Sequence, residues 1–146
     1  MEAQLNTTPE DKKVKLDFKD SKYATGRRKK SIAKVWVKKG SGKIYVNGKN
    51  MNEYFLKANL QIAIFRPLTI TKRENEYDVR CSVRGGGLTG QAGAIIHGLS
   101  RAIVLHEPEL KSTLKKENLT TRDSRAVERK KYGRRKARRS FQFSKR

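Results

Sequence analysis

The sequence predicts an α/β fold, a two-layer sandwich of a mostly antiparallel sheet with helices on one face, continued by a long extended basic C-terminal tail. Three observations predict it. Ser31 to Lys39 and Tyr77 to Arg84 alternate apolar and polar residues as half-buried strands do. The segment from about Gln91 to His106 places Ala92, Ile95, Ile96, Leu99, Ala102 and Ile103 at helical spacing. Residues 125–146 hold eleven Lys or Arg against one acid, Glu128, a net +10 in 22 residues. Such a run has too little apolar content to offset the entropy of ordering and becomes ordered against a polyanion. At 146 residues and 35% hydrophobic content the chain suits one modest core with tails.

Residues 1–22 read as a disordered, mixed-charge N-terminal arm, 23–120 as the globular two-layer domain, and 121–146 as a basic C-terminal helix and extended tail. In the first strand Ala33, Val35 and Val37 face one way and Ile32, Lys34, Trp36 and Lys38 the other. Lys43 to Asn47 alternates too. With Gly40-Ser41 as a two-residue turn, Val37 would face Ile44, Val35 would face Val46, and Trp36 would meet Tyr45 on the opposite face. Asn47-Gly48 predicts a second turn, and Asn50 to Lys57 a short helix carrying Met51, Tyr54 and Phe55. Leu60 to Phe65 extends the helical region up to a break at Pro67, and Leu68 to Thr71 reads as a short strand. In Tyr77 to Arg84, Val79, Cys81 and Val83 form the apolar face, which makes Cys81 a small core residue. Gly85 to Gly90 form a loop before the long helix, whose Ala92, Gly93, Ala94 and Gly98 permit close packing on the sheet. Pro108 starts another helix, with Leu110 and Leu114 inward, that ends near Asn118. Asp123 or Ser124 caps a last short helix through Tyr132, which Gly133 stops.

The whole chain carries a formal charge of +22 with a pI near 10.5, which points to a nucleic acid as partner. No segment resembles a signal or transit peptide and no window nears ~20 consecutive apolar residues, so a soluble, intracellular protein with no membrane partner is expected. A single cysteine excludes an internal disulfide and a zinc site of the paired-cysteine type. The Gly85-Gly86-Gly87 loop between a strand and a helix allows three readings. A nucleotide site would usually add a loop lysine and a magnesium-binding acid, yet residues 79–106 contain no carboxylate. A structural turn and an RNA-phosphate contact assisted by Arg84 are the others. Arg27, Arg28, Lys29 and Lys30 make a compact cationic cluster suited to phosphates. His97 and His106 read as packing or surface residues, and no metal site, cofactor, small-molecule substrate or catalytic residue is expected. Phe141 and Phe143 interrupt the terminal basic run and suit stacking on unpaired bases or anchoring in an RNA groove.

Four segments together carry a resemblance: Y-A-T-G-R-R-K from Tyr23, K-V-W-V-K-K-G-S-G-K-I-Y-V-N-G from Lys34, V-R-G-G-G-L-T-G-Q-A-G-A-I-I-H-G from Val83, and T-R-D-S-R-A-V-E-R-K-K-Y-G from Thr121. With the ending K-A-R-R-S-F-Q-F-S-K-R, they resemble the small-subunit ribosomal protein S-nine family of bacterial type over Tyr23 to Arg146. The resemblance implies a structural, non-enzymatic protein in the head of the small subunit, bound to small-subunit rRNA and to neighbouring ribosomal proteins of the head. It implies rRNA contacts through Arg27, Arg28, Lys29, Lys30, Arg84, Gly85, Gly86 and Gly87. Arg122, Arg125, Arg129, Lys130, Lys131, Arg134, Arg135, Lys136, Arg138 and Arg139 would neutralise further rRNA phosphates. It also implies that Ser144, Lys145 and Arg146 approach the anticodon stem-loop of the peptidyl-site tRNA, a sequence-independent contact to the backbone. Ile96 departs from the family, which usually has a basic residue there. A bacterial cytoplasmic ribosome is the implied location, with an organellar ribosome such as that of the mitochondrial matrix as the alternative. Two other classes stay open on the residues alone: a free nucleic-acid-binding or chaperone-like protein, and a phosphotransfer enzyme using the glycine loop.

Overall fold

Strand Tyr77–Arg84 is the centre of the sheet, because its four inward residues, Tyr77, Val79, Cys81 and Val83, are all buried and both its edges are paired. The computed structural model describes residues 19–145. In chain order the strands are β1 (Lys22–Arg28), β2 (Ser31–Lys39), β3 (Ile44–Val46), β4 (Lys49–Asn50) and β5 (Tyr77–Arg84). Their spatial order is β1-β2-β5-β3-β4, antiparallel throughout except for the parallel pair β3 and β5. The helices are α1 (Met51–Tyr54), α2 (Ala58–Thr71), α3 (Leu88–His106) and α4 (Lys111–Lys116), with a 3-10 turn at Pro108–Leu110 leading into α4. The predicted class is observed: a mostly antiparallel sheet buries one face under helices and leaves the other to solvent.

α3 lies on β1 and β2 at close range because the facing residues are small. A Cβ at Gly26 would run into the Ala94 carbonyl oxygen and the Gly98 amide, and one at Gly98 would sit 2.7 Å from Val35 Cγ2. Ala94, Ile95, Leu99, Ala102 and Ile103 of α3 are fully buried against this layer. Ile96 is half-buried and packs on the same core, consistent with an apolar residue at that position. Cys81 is buried as expected, and burial pushes its thiol up to about 12.

Several expectations are corrected. β2 and β3 do not form a hairpin. β5 enters between them, so that Val37 pairs with Val79 and Val79 with Ile44, while Val35, Cys81 and Val46 make the next row. The facing of every residue is as expected but the partner is not. The connection is held over the start of β5, where Asp78 Oδ1 accepts the N–H groups of Ser41 at 2.9 Å and Lys43 at 3.0 Å. Those bonds bring the Asp78 carboxyl below its ordinary range even though burial pushes it up. α1 stops at Tyr54, because Phe55 turns to an extended conformation and enters the core. α2 continues through Pro67 and takes in Leu68 to Thr71, which form no strand. Ile64, Pro67, Leu68 and Thr71 are its buried stripe at helical spacing, and that burial outweighs the bond the proline cannot donate. The Thr71 hydroxyl donates to Pro67 O at 2.9 Å within the same turn.

Strand β1 went unpredicted: its inward positions are Ala24 and Gly26, too small to give an alternation signal. No helix forms between Asp123 and Tyr132. Val127 and Tyr132 are fully exposed, so a helix there would have no apolar face to bury, and a short isolated helix is marginal. The expected disordered arm of residues 1–22 lies outside the described residues over 1–18, and its last residue, Lys22, already belongs to β1.

Candidate nucleic-acid interface

The β1–β2 hairpin turns at Lys29-Lys30, with Arg28 opposite Ser31 and Lys29 in the left-handed region at φ 51°. This puts the cationic cluster at a protruding tip. Arg27 and Arg28 point to opposite faces, as consecutive strand residues must. The Arg28 stem packs against Gly93 of α3, while Lys29 and Lys30 are exposed.

The glycine loop lies against this tip. Ser31 Oγ donates to Gly85 O at 2.9 Å, and Gln91 Nε2 donates to the same oxygen at 3.3 Å. Gly85 (φ 74°) and Gly86 (φ 63°) take positive φ, and a Cβ on Gly85 would be 2.6 Å from Lys30 O. Only glycine lets the two backbones meet so closely. The end of β5 is fixed from the other side by Asn47, whose Oδ1 accepts from Val83 N at 2.8 Å and whose Nδ2 donates to Val83 O at 3.1 Å. Gly87 then opens α3 with no side-chain cap, and Gly85 to Thr89 are exposed. The uncapped N–H groups and the helix dipole favour an anion there, and a Cβ on Gly87 would meet nothing within 4 Å. Arg84 is exposed at the end of β5, in the register row of Ile32 and Arg27.

The start of the tail is tied to the same place. Arg28 pairs with Asp123 at 3.1 Å and donates to the Arg125 carbonyl at 2.7 Å. Asp123 also receives the Arg125 side chain at 2.8 Å, and these hydrogen bonds hold its carboxyl well below the usual carboxylate range. Sequence reasoning took Asp123 for a helix cap, and its role as an anchor has no local signal because its partner is 95 positions away. His97 was read as a packing or surface residue; its Nδ1 accepts the Arg27 N–H at 3.2 Å at the free edge of β1. Burial, followed by the nearby Arg101 charge, lowers its pKa and favours the neutral ring that this bond requires. His106 likewise bonds Val37 O at 2.9 Å.

Thus Arg28 to Lys30, Gly85 to Gly87 and the segment holding Arg125, three stretches far apart in sequence, form one cationic surface with exposed backbone donors, while Arg27 and Arg84 point to the opposite face of the sheet. Arg122 is exposed beside Asp123 at the same exit. The later predicted residues are not gathered onto it. Arg129, Lys130, Lys131, Arg134, Arg135, Lys136, Arg138 and Arg139 are exposed along the tail, where Glu128 binds Lys131 at 2.9 Å and Arg138 at 3.0 Å. Arg135 lies 5.5 Å from the Phe141 ring. Ser144 and Lys145 are exposed, and Arg146 lies outside the described residues. No helix among the described residues is long and apolar enough to cross a membrane. A comparison with protein-family models matches residues 26–146 to one described as ribosomal protein S9/S16.

Proposed function

Because the chain belongs to the ribosomal protein S9/S16 family, and is therefore a ribosomal constituent that binds rRNA, we propose that the hairpin tip and glycine loop seat it on the rRNA of the small-subunit head. The family role is structural, with rRNA and other ribosomal proteins as partners. The observation that carries the finer reading is the meeting of the Lys29-Lys30 tip, the Gly85–Gly87 loop and the Arg28–Asp123 tail anchor on one surface. Such a surface fits phosphates without reading base identity. In this reading residues 23–120 are the rRNA-binding domain and residues 121–146 reach away from it. Roughly a dozen residues beyond Gly133 span about 40 Å when extended, enough for the tail to act far from the domain.

Ser144, Lys145 and Arg146 at its end would then contact the backbone of the tRNA in the peptidyl site. Subunits assembled with a chain ending at Phe143 test this part. Incorporation should be unchanged while tRNA dissociates from the peptidyl site faster. Equal tRNA retention and decoding accuracy would overturn the tail's role.

A further inference from the structure

The sheet face turned away from the helices carries a pattern that the tip and loop leave unused. Tyr23, Trp36, Arg80 and Tyr45 stand in one row across β1, β2, β5 and β3. The Trp36 ring centroid lies 5.3 Å from that of Tyr23 and 5.8 Å from the Arg80 guanidinium carbon. Tyr23 is 45% exposed, and Trp36 and Tyr45 are half-buried. Lys34 lies in the next row and Arg84 in the one beyond. None of Lys34, Arg80 and Arg84 forms an ion pair among the described residues. Asp78, the acid of β5 on this face, is occupied by the loop N–H groups of Ser41 and Lys43. A solvated sheet face is ordinarily polar. Three rings left at the solvent among unpaired cations form instead a stacking platform inside a positive field, which is complementary to a chain of phosphates carrying free bases.

We propose that this open sheet face is a second RNA surface, specific for an unpaired segment, with bases stacked on Trp36 and Tyr45 and phosphates held by Lys34, Arg80 and Arg84. It rests on the rRNA-binding reading and adds the class of RNA and its place. Paired RNA hides its base faces within its own stack and gains only the charge contacts.

Trp36 is the single tryptophan of the chain, so its emission reports on this face alone. The full-length protein is titrated with short oligoadenylate, with an RNA duplex of equal length and with base-free inorganic polyphosphate, while binding is followed independently by filter retention. Oligoadenylate should quench the Trp36 emission, and duplex and polyphosphate should bind with little quenching. Tyr45→Ala should weaken oligoadenylate binding about tenfold and leave polyphosphate binding unchanged, whereas Arg80→Ala should weaken oligoadenylate about tenfold and polyphosphate to a smaller extent, through the lost charge alone. Circular dichroism of both variants confirms that the sheet is intact, and the Arg80→Ala arm decides if Tyr45→Ala fails to fold. Oligoadenylate bound with unchanged emission, or equal quenching by polyphosphate, overturns the proposal while leaving RNA binding by the tip and tail intact. The first of these outcomes would assign the face to a protein neighbour. Absence of binding to all three ligands would sink the RNA reading as well.

Discussion

Replacing Lys29 and Lys30 together by alanine isolates the contribution of the hairpin tip to RNA binding. Both side chains are exposed, and neither joins an ion pair among the described residues, whereas Arg28 is already tied to Asp123. Two phosphate contacts are therefore lost, and each contact releases about 0.7 to 0.9 of a counterion. The slope of log K against log salt should become less negative by about 1.4 to 1.8. If the wild-type and variant lines meet near ~1 M salt, affinity falls about 25- to 60-fold at ~0.1 M and about 10- to 18-fold at ~0.2 M. Filter retention of small-subunit rRNA across a series of potassium chloride concentrations measures both quantities. Folding stability should stay within about 0.5 kcal/mol, since no buried contact changes. Lys72→Ala is the control: Lys72 lines a surface depression with Glu74 and Glu76 before the start of β5, at the opposite end of that strand from the glycine loop. An unchanged slope in the tip variant, or an equal change in the control, would refute the assignment of the tip.

Three further outcomes test the scaffold. Gly26→Ala drives a Cβ into the α3 backbone at Ala94 and Gly98, and chemical denaturation should show a loss of about 3 kcal/mol, the upper end for overpacking because neither neighbour is a movable side chain. A loss within the noise would mean that β1 and α3 separate freely. His97 has its folded pKa below the reference of 6.5, so the unfolded chain binds the proton more readily. Stability should therefore be full above about pH 6.5, fall as pH drops below it, and level off beneath the folded value. Melting curves of His97→Gln over the same range should be flatter, and a parallel pair of curves would contradict the Arg27 bond. The Cys81 thiol, buried and pushed up to about 12, should resist alkylation in the native protein and react at the unfolding rate; fast native labelling would show the core to be open there.

The sequence revealed the facing of side chains better than the pairing of strands. Alternation placed Val35, Val37, Ile44, Val46, Val79 and Cys81 on one side correctly, because burial of a face is a local, period-two property. It could not reveal that β5 lies between β2 and β3, since the same rows arise whether two strands touch or a third fills the gap. Pro67 was over-read: local chemistry breaks helices, but the stripe from Ile64 to Thr71 was visible and won. At the interface, Arg27 to Lys30 and Gly85 to Gly87 were legible as charge and glycine runs. Their meeting at Ser31, and the tail anchor at Asp123, were not, because they depend on contacts across 54 and 95 positions of chain.

The central place of β5 has a consequence for synthesis, which proceeds from the N-terminus. Until residue 84 has emerged, β2 has only β1 beside it, and the three residues of β3 have only the two of β4. The inner row of Ala33, Val35 and Val37 stays uncovered until α3 follows. Residues 77–106 therefore supply both the central strand and the helix that covers its neighbours, and Leu114 and Leu119 complete the core after them. The polycationic stretch follows the domain in the chain, so the part most prone to indiscriminate capture by nucleic acid is made only after the Arg28 that anchors its start.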